Sequence, residues 1–541
     1  MSQRFIAFGA TATFMLGVSA LLERFYFRLG LLPETAYFSN SIVGSVLGQL
    51  PLTLFLLANG LILIWQRKSL RWDNLAPQAI RWLIVLIAVM IAWAFSTYQY
   101  NVYYDQPHHL DRLILLLLPL LLYWHPAWVP AFLVVAISMT YQFHYPFGRF
   151  TWTDKRLLYE LLILFHAFLL VQVGVSQLKA WSGKDTKRRS KQLHTVTASL
   201  LHNLSPFHVF LFLLLCLHAA TYLNPALLKL ELNWLRYDQL SNLFAASYLN
   251  GWLAHWPEAR IVALANIVAQ INPLLLIFTL ITELGVIAMF VHRRAPQWLF
   301  AGAIMLHIGI FLSSGIFFWK WVVLNLALIW VLWALEHSAE KFPFTRATFF
   351  LSLLFIPLSI VIWRPIQLGW YDTPLVHTYE LEGIGISGTH YEIPRAMMAP
   401  YDVLFAQNRF SYLREKPLVI GTYGATLDRE LLLRTTDEAF EYTAVVADFG
   451  RDRSNPDAAA RFDQFIKTFF GNLNRRGTNT FLWHTFPAPH HIWNMAKGEA
   501  PYHLQEPLQT VRVQFTTTYF DGKQFKLLEN ETIREIEIQH D

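Results

Sequence analysis

The stretch Cys216 to Leu235, CLHAATYLNPALLKLELNWL, is apolar enough for a bilayer, yet it carries His218, Asn224, Pro225, Lys229 and Glu231. A lysine near mid-bilayer costs about 2.5–3.5 kcal/mol on insertion scales. If the helix continues past Pro225, then His218, Thr221 and Pro225 share one face, and Lys229 lies one turn further along it. Proline removes a backbone hydrogen bond and frees a carbonyl near Thr221 and Tyr222, a defect often found beside functional sites. Burial penalises an ammonium ion, so a lysine held away from water is suited to act as a general base near neutral pH. The plainer alternative lets Lys229 snorkel, its stem on apolar surface and its charge in water; Glu231, Asn233 and Arg236 just beyond it suit that reading.

Glu283, in LLLIFTLITELGVIAMFV, is the sharper intramembrane signal, because only Thr279 and Thr282 interrupt the apolar residues around it. Carboxylates at such positions face a bundle interior and have a partner. The expected partner is His307 in AGAIMLHIGIFLSSG, with His166 and His218 behind it. Each of these histidines, taken alone, reads first as a satisfied core residue and only second as a ligand. In WHTFPAPHHIWNM, His484, His490 and His491 lie in a proline-rich loop. Zinc needs three or four convergent ligands, which this spacing does not supply, so no metal site is expected and the loop reads as packing or solvent-facing. DFGRDR, Asp448 to Arg453, has no glycine-rich loop or strand lysine to make it kinase-like. The sole cysteine, Cys216, excludes an intramolecular disulfide.

The elements that must position these residues are membrane helices. The 541 residues are 55% hydrophobic and only 15% charged, against about a quarter charged in soluble domains. The reading is a polytopic α-helical membrane bundle over 1–365, with about 9–11 transmembrane helices. From about Tyr371 the composition turns mixed and charged, implying an α+β domain over 366–541, rich in antiparallel sheet. Strands are expected at 375–381, 417–423, 441–447 and 479–485. A helix is expected over DAAARFDQFIKTFFGNL, and a hairpin about Asp521-Gly522 plus one more strand at the end. The pair 113–124 and 128–143 reads as a hairpin that does not fully cross, and Pro273 makes 261–291 a tilted, kinked or broken span. Residues 1–22 read as a retained first helix rather than a cleaved signal peptide.

Loops 66–81, 179–205, 292–297 and 336–346 are richer in Lys and Arg than 99–112, 224–260 and 314–316. With eleven crossings this fits a positive-inside arrangement, the loop 144–156 being discordant. The chain would then lie in the plasma (inner) membrane, with its C-terminal domain periplasmic or otherwise extracytoplasmic. The basic run KAWSGKDTKRRSK is a topology signal and does not point to nucleic acid.

Two blocks, LHAATYLNPALLKLELNWLRYDQ and TELGVIAMFVHRRAPQWLFAGAIMLHIGIFLSSGIFFWKWVVLNLALIWV, resemble the HTTM domain. Vitamin K-dependent γ-carboxylases share this membrane domain with many bacterial proteins, and the motifs are strongest at 206–335. The resemblance implies that Lys229 is the base that deprotonates a lipid-soluble quinol, a vitamin K-type isoprenoid, with His218 a second catalytic residue. Glu283, His307, Asn224 and Tyr222 would line the cofactor pocket. The carboxylases carry a paired lysine at this place, whereas here Leu228 precedes Lys229. The implied partners are membrane lipids and a secreted protein or peptide substrate. The alternatives are a non-catalytic membrane factor for maturation or assembly of a secreted partner, and a proton-coupled transporter using Glu283 and the histidines.

Overall fold

The computed structural model describes residues 3–539 apart from 30–31, 99, 144–146, 148–155, 186–204, 339–340, 400, 402–403, 406, 408, 421–425, 478–484 and 494–499. The principal helices of the first two thirds are α1 Gln3–Leu29, α2 Leu50–Trp65, α3 Gln78–Ser96, α4 His109–Trp124, α5 Val129–Gln142 and α6 Arg156–Asp185. They continue with α7 Pro206–Glu231, α8 Leu240–Leu249, α9 Glu258–Gly285, α10 Ala295–Ser314, α11 Trp319–Glu336 and α12 Arg346–Trp363. Among the described residues, eight are long and apolar enough to cross a membrane: α1, α3, α6, α7, α9, α10, α11 and α12. A ninth span is formed if Ile42–Gly48 and α2, bent by 86° at their junction, are taken together. The expected incomplete hairpin is α4 and α5, of 16 and 14 residues, shorter than the roughly 20 residues a full crossing needs.

Helix α7 is the central post. Nearly every side chain from Phe207 to Ala226 is buried, as expected of a helix apolar on all its faces. Pro206 starts it, where a missing N–H costs nothing. Its neighbours turn apolar faces outward, through Phe14 and Leu21 on α1, Leu274 and Ile281 on α9, and Leu354 and Val361 on α12. Helix α9 runs 28 residues with Pro273 inside it and no break; at 1.5 Å per residue it spans about 42 Å.

The C-terminal sheet is antiparallel, ordered β2-β1-β3-β4, from β1 Leu375–Gly385, β2 His390–Ile393, β3 Leu508–Phe520 and β4 Phe525–Glu537. The β3–β4 hairpin turns at Asp521-Gly522, where Gly522 takes φ +81°. Helix α13 Pro456–Arg476 buries Phe462, Ile466, Phe469 and Phe470. Three expectations are corrected. Residues 442–449 form a helix rather than a strand, because Tyr442, Val445, Val446 and Phe449 recur at helical spacing. Of the segment 417–423 the described residues are 417–420, and they contribute one isolated bridge, Leu418 to Arg451, rather than a strand. The last 13 strand residues form the single strand β4 rather than two. The expected strand at 479–485 falls almost wholly outside the described residues, as do His484 and much of the basic run.

Several hydrogen bonds join the tail to the bundle, among them Asn472 Nδ2 to Val102 O at 2.9 Å and Tyr103 OH to Ala399 O at 2.9 Å, and two groups of them lie beside α7 and the α10–α11 turn. A strap after α12 docks on the end of α7: Asn224 Nδ2 donates to Pro365 O at 2.8 Å, Trp234 Nε1 to Trp370 O at 3.0 Å, and Tyr371 OH to Leu232 O at 2.7 Å. Farther on, the loop at 485–493 pairs with the α10–α11 turn. There Phe317 N donates to His491 O at 2.6 Å, and Trp493 N to Gly315 O at 2.9 Å. Gly315 has φ +71°, and a Cβ on it would lie 2.7 Å from the Trp252 ring and 2.9 Å from the Trp493 carbonyl. Only glycine fits there.

Candidate functional site

Helix α7 continues through Pro225 and ends at Glu231, which carries Lys229 inward rather than into water. Its side chain is 8% exposed. The ammonium donates to Glu283 Oε1 in a short, buried ion pair and sits 5.0 Å from the centroid of the Trp234 ring. The indole reaches that place because Asn233, in the left-handed region at φ 50°, turns the chain back over the helix end. Isolated charges do not persist in apolar interiors, whereas a paired and hydrogen-bonded couple can. The helix α9 supplies the partner charge in an otherwise apolar length.

A second cluster adjoins the pair on the same helix. His218 Nε2 meets Asn325 Oδ1 at 2.8 Å, Asn325 Nδ2 donates to Tyr222 OH at 2.9 Å, and Tyr222 OH meets His307 Nε2 at 3.0 Å. The chain has one consistent direction. An amide oxygen only accepts, so His218 carries its proton on Nε2. Tyr222 receives from the amide and so donates onward, leaving His307 Nε2 as acceptor and its proton on Nδ1. Trp321, Phe300 and Phe318 wrap these rings, with centroids 5.0–6.3 Å from the histidines. Phe318 in turn meets the ring of His491 at 4.9 Å, so a tail histidine is one aromatic ring away from His307.

Among the described residues, Glu283 Oε2, His218 Nδ1 and His307 Nδ1 are buried without a hydrogen-bond partner. Two are acceptors and one, His307 Nδ1–H, is a donor. A small cavity of about 20 Å³ touches Thr221 and Trp321 on the other flank of α7, walled by Arg156, Glu160, Pro365 and Leu368. It has room for one water molecule.

Five of the six expected residues, Lys229, Glu283, His218, Tyr222 and His307, thus lie at one junction, but their pairing differs from expectation. Glu283 takes Lys229 as partner, not His307, because only the lysine brings a permanent counter-charge; His307 goes to Tyr222. His166 is elsewhere, between Tyr26 OH at 2.9 Å and Asn59 Oδ1 at 3.0 Å. Asn224 turns to the strap at Pro365, away from the cluster. Leu228 packs against Gly369.

No family model, no curated protein and no solved structure matches this chain. Sequence reasoning passed over Asn325, Trp234 and Trp321. Asn325 had a readable signal, a lone amide in WKWVVLNLALIWVLW, since polar residues in apolar spans mark interior contacts.

Proposed function

We propose that this chain is a membrane enzyme in which Lys229 is the general base toward the acidic hydroxyl of a lipid-soluble, quinol-type ligand, in support of chemistry on an extracytoplasmic substrate. The observation that carries the reading is the buried Lys229–Glu283 couple with Glu283 Oε2 left open. In the resting couple the ammonium donates to the carboxylate. Transfer of that proton to Glu283 leaves a neutral amine, which can take a proton from a hydroxyl set against it. Ammonium, protonated Glu283 and the substrate anion result, so protons balance. Glu283 Oε2 is suited to accept from such a hydroxyl before the transfer, and His307 Nδ1–H to donate to the anion after it. Trp234 beside Lys229, and Trp321 and Phe318 beside His307, supply aromatic faces of the kind that suit a flat ring. A vitamin K-type quinol, when bound, would supply the acidic hydroxyl.

The test is mass spectrometry of lipids and quinones that co-purify with the full chain, compared with Lys229→Ala, Lys229→Arg and Glu283→Gln. The reading expects an isoprenoid quinone with the native protein, depleted in all three variants. Quinone content equal to that of the detergent background, or unchanged in Lys229→Arg, sinks it. A non-catalytic role in maturation or assembly of a secreted partner draws support from a different feature, the seating of the 485–493 loop on the α10–α11 turn.

A further inference from the structure

Away from Lys229, the turn between α2 and α3 and the end of α4 enclose an open cavity of about 560 Å³, walled by Arg67, Lys68, Arg71, Arg81, Trp124 and His125. Asp73 is the one carboxylate on its wall and is tied to Arg71 at 3.5 Å. Among the described residues Arg67, Lys68 and Arg81 have no carboxylate within ion-pair distance, so three positive charges stand uncompensated around one space.

The cavity is built on fixed supports. Trp72 is buried as a plug beneath it, its Nε1 donating to Leu122 O at 3.0 Å and its ring stacked 5.5 Å from Phe165. Arg81 donates from Nε to Tyr123 O at 2.7 Å, its guanidinium 3.8 Å above the Tyr123 ring. His125 Nε2 reaches Arg67 O at 3.3 Å. Two apolar faces lead to the mouth. One is the end of α2, where Leu61, Ile64 and Trp65 are exposed; the other is the end of α4, with Leu117, Leu120 and Trp124 exposed. Trp65 and Trp124 are each 72% exposed, as indoles are at the level of lipid headgroups.

We propose that this cavity binds the phosphate of an anionic phospholipid, whose acyl chains lie along the exposed faces of α2 and α4. Guanidinium groups match phosphate oxygens in geometry and charge. Basic pockets between membrane helices take such headgroups. A soluble anion would use the cations but would have no use for two converging apolar faces. The site is independent of Lys229 and its reaction.

The test uses the full chain in a neutral detergent, titrated with phosphatidylglycerol or phosphatidylcholine and followed by native mass spectrometry, with inorganic phosphate as competitor. Phosphatidylglycerol should bind at least ten-fold more tightly than phosphatidylcholine and survive excess phosphate. Arg67→Gln with Lys68→Gln removes two exposed side chains. Each cation near an anionic surface is worth about five-fold, so the double variant should bind phosphatidylglycerol roughly thirty-fold more weakly. Equal binding of the two lipids overturns the proposal, as does undiminished binding by the double variant. Complete displacement by inorganic phosphate overturns the lipid assignment in favour of a free anion. Should the double variant misfold, the native protein's preference between the two lipids decides the matter by itself.

Discussion

Removing Lys229 alone should be far more costly than removing it together with Glu283. Both side chains are under one-tenth exposed, and the carboxylate has no other described partner, since its second oxygen is already unsatisfied. Breaking a buried pair by deleting one member costs about 3–5 kcal/mol, because an uncompensated charge is left behind. Lys229→Met and Glu283→Leu should each fall in that range. The double variant replaces the couple with apolar groups of similar volume, and such replacements are often neutral or stabilising. The coupling energy should therefore be at least about 3 kcal/mol and of the sign that makes the double variant better than the sum of the singles. The assay is a four-membered unfolding cycle on the full chain in detergent, by denaturant or thermal titration, with ligand-free protein so that binding does not contribute. A coupling within about 0.5 kcal/mol of zero, with Lys229→Met near native stability, would refute the reasoning. It would mean that the amine lies in water or at headgroups.

The remaining predictions concern the surroundings. Tyr222→Phe removes the hydroxyl that joins Asn325 to His307, leaving two buried groups unpaired; it should destabilise by about 2–4 kcal/mol, read by the same titration. Gly315→Ala meets both a left-handed backbone and the Trp252 and Trp493 contacts, and should cost about 2 kcal/mol or more. It should also speed proteolysis at 485–493. Arg414 is nearly enclosed, donating to Glu529 and Glu531 at 2.7 Å each, while those carboxylates are 27% exposed. Arg414→Ala should therefore cost about 2–3 kcal/mol, less than a wholly buried pair. Burial pushes the His377 imidazole down to about 4 from 6.5, although contacts to the Val419 backbone and Glu529 oppose the shift. Its folded value lies below its unfolded value, so the unfolded chain binds the extra proton between them. The neutral ring's contribution is present above pH 6.5 and is lost as pH falls toward 4, by roughly 2 kcal/mol at pH 5. His377→Gln should flatten the stability profile across that window, and an unchanged slope would count against the burial argument.

What was legible in the sequence follows from the range of the forces involved. Helix α7 was readable because local apolarity and the position of Pro206 act within a few turns, and the β3–β4 hairpin because Asp521-Gly522 specifies its own turn. Residues 442–449 misled because a short apolar run suits either secondary structure until its spacing is weighed. At the site, Lys229 and Glu283 stood out as charges in apolar text. Their pairing did not, because it depends on where α9 crosses the end of α7 and on the reach of one long side chain. Asn224 looked equivalent to Tyr222, two residues earlier, but two residues rotate a helical side chain by about 200°, which sends Asn224 to the strap instead of the cluster.

Two of the contacts between tail and bundle bear on how the halves of the chain can act. The strap from Pro365 to Tyr371 holds the end of α7 that carries Lys229, through Asn224, the Leu228–Gly369 contact, and the Leu232 carbonyl. The 485–493 loop holds the α10–α11 turn, from which Phe318 touches His307. Packed interiors transmit displacement rather than absorb it. Movement of the tail would therefore reach the couple from one side and the histidine chain from the other, with α7 as the shared post. An occupant seated on the tail would have a mechanical route to Lys229 without touching it. That route consists of contiguous packed side chains, and coupling through them requires the tail to have two arrangements that a partner could tell apart.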